Sequence, residues 1–150
     1  LQNLDAFYRD GVLGMAIGSA YPGFKDYYRE GGWGDGLGWV VDHEDGATFA
    51  ATLDRTDRSG VPFVQLVTWN DFGEGTMIEP TREFGFSLLQ QVQAFTGVSF
   101  TASDFELVYA LYQARKRHRG DDAVQEKLDQ VFGYMVSLRL GEAAALMEEL

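Results

Sequence analysis

A short apolar run at residues 63–68, FVQLVT, ends abruptly in Trp69-Asn70-Asp71. Gly73 and Gly75 flank Glu74, and Glu79-Pro80 closes the stretch. β-prone residues bounded by turn formers read as a buried strand. Residues 12–20 form a second strand candidate, in which Leu13, Met15 and Ile17 alternate with Gly14, Ala16 and Gly18. Glycine in a strand permits close backbone approach.

Helical periods separate and follow these runs. Over 45–59, Phe49 and Leu53 form an i, i+4 pair supported by Ala50 and Ala51, and Gly60 and Pro62 stop the helix. Over 82–96, Phe84, Leu88, Leu89, Val92 and Phe95 share one face, and Gly97 ends it. Strand, loop, helix, repeated, is the pattern of parallel strands with crossover helices. Residues 1–10 read as the end of a preceding helix, with Leu1, Leu4 and Phe7 or Tyr8 on one face and Gly11 as its stop.

Downstream, three helices are predicted over 103–119, 123–140 and 142–150, the second and third separated by Gly141. They carry no cluster of catalytic residue types and read as packing. Arg115-Lys116-Arg117-His118-Arg119 closes the first of them, where cations complement the helix dipole.

Among 150 residues, 45% are hydrophobic and 14% aromatic, which predicts one globular domain with a sizeable core and argues against disorder. The net charge of −11 argues against a nucleic-acid backbone or an anionic membrane as partner. The absence of cysteine removes disulfides, thiolate metal sites and a Cys nucleophile. No apolar run approaches the length of a membrane span. Leu1, in place of Met, opens the chain, which suggests a piece cut from a longer protein.

Residues 21–41 combine Tyr21, Phe24, Tyr27, Tyr28, Trp33 and Trp39 with six glycines. Such a loop can lay flat rings on the C–H faces of a sugar, with Tyr21, Tyr28 and Trp33 as candidate platforms. The same aromatics can instead cap the core beneath a long loop.

Asp71 and Glu74 stand three residues apart on a turn. One carboxyl held protonated donates a proton while its ionised partner withdraws one, and glycosidic cleavage uses such a pair. Trp69 and Phe72 are expected to provide the apolar setting, and Asn70 a hydrogen bond to a sugar hydroxyl. Asp-x-x-Glu spacing also occurs on solvated turns. Rival chemistries fit less well. His43 and His118 lie at no metal-ligand spacing, so neither metal nor other cofactor is expected. Gly18-Ser19-Ala20 is no nucleophile elbow, and residues 31–38 lack the context of a phosphate loop.

The run TWNDFGEGTMIEPT, residues 68–81, resembles the final barrel-strand motif of glycoside hydrolase families 71 and 99. Trp69-Asn70-Asp71-Phe72-Gly73-Glu74 is similar to the α-1,3-glucanase family 71 pattern. Gly75-Thr76-Met77-Ile78-Glu79-Pro80 is similar to the family 99 endo-α-mannosidases. Ala20-Tyr21-Pro22-Gly23-Phe24 fits the preceding barrel loop.

The resemblance, to a bacterial 71/99-like group, implies an α/β chain that is the C-terminal portion of a (β/α)8 TIM barrel. Residues 1–98 would supply the last two βα units and 99–150 an α-helical extension. A whole barrel needs roughly 250 residues, so earlier strands are expected upstream. The resemblance further implies a glycosidase acting on a carbohydrate substrate, an α-mannoside or α-1,3-glucan, in an exported protein. Glu74 falls at the family 99 acid/base. Asp71 falls where that family has a Glu that assists the sugar's own 2-hydroxyl. The shorter Asp leaves room for a water and an inverting outcome. Beside these, Trp69, Asn70, Tyr21, Tyr28, Trp33 and Glu79 are the candidate substrate-binding residues of the sequence itself. A glycan-binding protein that keeps the cleft without turnover is the alternative.

Overall fold

The computed structural model describes Asn3, Asp5, Ala6, Tyr8 and residues 16–150. Asn3, Asp5, Ala6 and Tyr8 are helical. The expected Gly11 stop and the 12–15 portion of the first strand lie outside the described residues.

The chain is mixed α/β. Strand β1 spans Ile17–Ala20, β2 Phe24–Lys25, β3 Val40–Val41 and β4 Phe63–Leu66. Helix α1 spans Ala47–Ser59, α2 Ser87–Thr96, α3 Ala102–Arg117, α4 Asp122–Val136 and α5 Leu140–Glu148. β1 and β4 pair in parallel, from Ile17 opposite Phe63 to Ala20 opposite Leu66. β2 and β3 form a separate antiparallel pair, Phe24 opposite Val41 and Lys25 opposite Val40. No closed barrel is formed among the described residues. No helix among them is long and apolar enough to cross a membrane.

Two compact units divide the chain, Leu1–Ser99 and Phe100–Leu150. In the first, β1, α1 and β4 make a strand–helix–strand crossover. Phe49 and Leu53 of α1 pack with Ala20, Ile78 and Leu88, and Val64, Leu66, Phe84 and Val92 close around them. Gly18 and Ala20 of β1 face α1. A Cβ on Gly18 would stand 2.8 Å from Val61 Cγ2 and 2.9 Å from Thr56 Cγ2, so only glycine lets helix and strand approach this closely.

β4 is less buried than the sequence predicts. Val64 and Leu66 turn to the core while Phe63, 59% exposed, and Gln65 turn outward. Side chains alternate between the faces of a strand, and here packing covers one face.

Thr52, fully buried on α1, ties the end of β1 to the helix. Its Oγ1 accepts from Tyr21 N–H at 3.1 Å and lies 2.9 Å from Tyr21 O and 3.0 Å from Phe49 O, to either of which it can donate. Thr52→Val keeps the shape and removes the hydroxyl, leaving the Tyr21 amide without that acceptor. The expected loss is about 1–3 kcal/mol, read as a lower urea midpoint at unchanged slope.

The second unit has its own core. Leu111 and Ala114 of α3, Leu128, Val131 and Met135 of α4, and Ala143 of α5 are buried together. Asp104 accepts from Thr101 N–H at 2.6 Å at the start of α3, and Asp121 accepts from Val124 N–H at 3.1 Å at the start of α4. Arg115 donates to Asp129 Oδ1 at 2.7 Å and to Leu128 O at 3.3 Å, so part of the basic run joins α3 to α4.

Candidate active site

Two loops follow the carboxyl ends of the parallel strands β1 and β4, the position where α/β folds gather ligand-binding groups. Residues 68–79 form the second loop, and its shape is set by its own backbone and hydroxyls. The Val67–Thr68 peptide is cis. Thr68 N–H donates to Thr76 O at 2.7 Å, and Thr76 N–H to Asp71 O at 3.1 Å. Ile78 and Glu79 N–H groups donate to Trp69 O at 3.1 and 2.9 Å. Thr68 and Thr76 hydroxyls meet at 2.9 Å, and Thr68 Oγ1 also accepts from Asp71 N–H at 3.1 Å. The Asp71 carboxylate is turned inward along the loop, accepting from Glu74 N–H at 3.0 Å.

Three successive carbonyls of this loop are held from outside it. Tyr27 N–H donates to Gly73 O at 2.7 Å and Lys25 N–H to Glu74 O at 3.0 Å. His43 Nε2 lies 2.6 Å from Gly75 O. A carbonyl only accepts, so that nitrogen carries the proton. Gly75 has φ 61°, and a Cβ there would stand 3.0 Å from Lys25 O, so both the left-handed backbone and the close approach need glycine. Gly23 lies against the face of His43, where a Cβ would be 2.7 Å from Cγ. Phe84 stacks on the same ring at 5.4 Å.

The first loop reaches Glu74 through Tyr28. Its hydroxyl donates to Glu74 Oε1 at 2.7 Å, across 46 residues of sequence. The phenol is pushed up from its ordinary value to about 12, first by this hydrogen bond, then by desolvation and by the negative charges of Glu74, Asp71 and Asp26. The sign follows directly. A phenol whose pKa rises on folding contributes stability fully present below its unfolded pKa of about 10. That contribution is lost as pH climbs through about 12. The Tyr28 phenolate signal is therefore expected to emerge after those of ordinary tyrosines in an ultraviolet difference titration.

Asp26 shapes the first loop by accepting from Tyr28 N–H at 3.3 Å and from Leu37 N–H. Tyr27, Tyr28, Gly31, Trp33 and Gly73 line an open cleft of about 410 Å³. Trp33 is 83% exposed, with its indole offered to solvent. The Tyr28 ring packs against Gly73, where a Cβ would stand 3.4 Å from Tyr28 Cε1 and, more tightly, 3.3 Å from Asp71 Oδ1.

Of the residues singled out from sequence, Tyr28 and Trp33 line this cleft, Glu74 is joined to it through the Tyr28 hydroxyl, and Asp71 holds the Glu74 amide. Trp69 and Phe72, expected to enclose the carboxyls, are 54% and 50% exposed. Asn70 is exposed and accepts from Phe72 N–H at 3.0 Å through its backbone. Glu79 is half-buried and held by its amide. Tyr21 is held by its backbone to Thr52 of α1, and burial raises its phenol pKa, with Tyr8 raising it further and Arg55 lowering it.

Lys25, Asp26, Tyr27 and His43 shape the site and were not singled out for it by sequence. The usable signals were Gly23 and Gly75, whose missing side chains make room for the His43 ring and the Lys25 backbone. Among the described residues no three His, Asp or Glu side chains gather as a metal cage requires. Compared with family models, curated proteins and solved structures, the chain matches none.

Proposed function

We infer that the Leu1–Ser99 unit serves as a glycoside hydrolase acting on an α-linked polysaccharide or glycan of α-mannoside or α-1,3-glucan type. The observation that carries this reading is the hydrogen-bonded pair of Glu74 and Tyr28, with Asp71 on the same turn, beside a cleft walled by Tyr27 and Trp33. Glu74 acts as general acid and Asp71 as base or assisting base. Glu74 gives its proton to the glycosidic oxygen as the C–O bond breaks and the leaving sugar departs as an alcohol. Asp71 takes a proton either from a water that attacks the anomeric carbon or from the sugar's 2-hydroxyl. Trp33 offers a face for a sugar ring, and Trp69, Asn70 and Glu79 extend the surface.

The finer fold reading goes with this function. β1 and β4 are the last two strands of a (β/α)8 barrel, residues 99–150 are its helical extension, and the protein is exported. These rest on the residue 68–81 motif and on the parallel β1–α1–β4 crossover.

One observation favours the glycan-binding alternative. Asp71 Oδ1 is already occupied by the Glu74 amide, a structural use that needs no chemistry. Incubation with α-mannans and α-1,3-glucans, followed by NMR of new anomeric protons, separates the two. Cleavage by wild type but not by Asp71→Asn or Glu74→Gln supports the hydrolase and reveals retention or inversion. Binding without cleavage replaces it with the binding protein.

A further inference from the structure

We propose that Tyr28 is the positioning residue for Glu74: its hydroxyl holds Oε1 and leaves Oε2 as the oxygen that meets the glycosidic bond. The proposal rests on the reading of Glu74 as general acid. It changes the role of Tyr28, which sequence alone assigns to sugar binding.

The geometry supports this in three ways. First, the 2.7 Å bond to Oε1 commits the phenol proton to Glu74, and among the described residues Oε2 takes no hydrogen bond. Second, Tyr28 is fastened to the loop it serves. The neighbouring Tyr27 N–H holds Gly73 O at 2.7 Å, Asp26 takes the Tyr28 N–H at 3.3 Å, and the ring packs against Gly73. Phenol and carboxyl therefore share one frame. Third, the charged groups facing the hydroxyl are Glu74, Asp71 and Asp26, all acidic, and they keep the phenol neutral and able to donate well above neutral pH.

In the reaction the proton rides on Glu74 Oε2 and passes to the departing oxygen. The electron pair of the broken C–O bond goes to that oxygen, and the carboxylate left behind keeps its hydrogen bond from Tyr28. Donors aimed at a charge that develops during reaction favour that step.

The test is Tyr28→Phe, which keeps the ring and removes the hydroxyl. On α-1,3-glucan or α-mannan, whichever the wild type cleaves, kcat should fall about tenfold to a hundredfold with KM unchanged, part of the roughly 10²–10⁴ a positioned general acid supplies. A 2,4-dinitrophenyl glycoside of the same sugar needs no proton on its leaving group, so its rate should hardly change. Tyrosine ¹³Cζ NMR supplies a readout independent of turnover. In Glu74→Ala, which removes acceptor and charge together, the Tyr28 titration should move down from about 12 towards the ordinary value. A raised KM at unchanged kcat would make Tyr28 a sugar ligand and overturn the proposal. So would an unmoved titration in a wild type that cleaves. A wild type that cleaves neither polymer sinks the hydrolase reading, and the catalytic role of Tyr28 with it.

Discussion

With Glu74 as the proposed general acid, Glu74→Gln should lower glycan cleavage about 10²–10⁴-fold while leaving the fold unchanged. Glutamine presents the same Oε1 acceptor to the Tyr28 hydroxyl, which stands 2.7 Å from it. The backbone contacts of the loop, Lys25 N–H to Glu74 O and Glu74 N–H to Asp71 Oδ1, do not involve the substituted group. What the amide lacks is a proton it can surrender. Loss of general acid catalysis costs about 10²–10⁴ in kcat, and the thermal midpoint should not move beyond what a surface substitution produces. Reducing-end release and circular dichroism on the same samples check both halves. Undiminished cleavage would remove Glu74 from the chemistry.

Phe49→Ala carries the largest expected loss of stability. Phe49 is fully buried, and with Leu53 it fills the space between β1, β4 and α2. Removing a buried phenyl group costs its transfer free energy and leaves a cavity, together about 3–5 kcal/mol. For a unit of this size that lowers the thermal midpoint by more than about 10 °C. The same helix holds Thr52, which anchors the Tyr21 backbone, so the loop after β1 should loosen before the unit unfolds. Urea melts and amide exchange at Tyr21 measure the two effects. A midpoint close to wild type would mean that the core closes over the lost ring.

The helices were legible because their period and their stops are local. α1 ends at Ser59 with Gly60 in the left-handed region, as the Gly60/Pro62 signal implies, and Gly97 ends α2 in the same way. Starts were less legible. α1 begins at Ala47 because Glu44–Gly46 form a separate short turn, with Gly46 at φ 90°. α2 begins at Ser87, where the apolar period predicts residue 82. Thr81 bridges Gly85, and Thr81 Oγ1 takes the Phe84 amide, so Phe84 joins the core from a turn. α4 stops at Val136, where 123–140 was expected, because Leu138 turns to φ 59°. α5 then starts at Leu140 and runs through Gly141.

The site divides along the same line. The Asp71–Glu74 turn is written in adjacent residues and could be read. The Tyr28 contact with Glu74 spans 46 residues and depends on backbone pairing that composition does not encode. The β2–β3 pair was hidden because each strand is two residues long within an aromatic, glycine-rich stretch. His43 lies at no metal-ligand spacing, and nothing else in its sequence surroundings marks it. Its role is to hold a carbonyl, and carbonyls have no sequence signature.

The three held carbonyls, at Gly73, Glu74 and Gly75, bear on how such a site can be moved between proteins. A dozen residues bearing the two carboxyls would not transplant as a cassette. Their conformation is shared with Lys25, Tyr27 and His43, so the portable module is the pair of loops together, including the glycines at 23 and 75 that admit each to the other. Substitutions in one loop should therefore be tolerated only alongside matching changes in its neighbour, and the two stretches are expected to evolve as one.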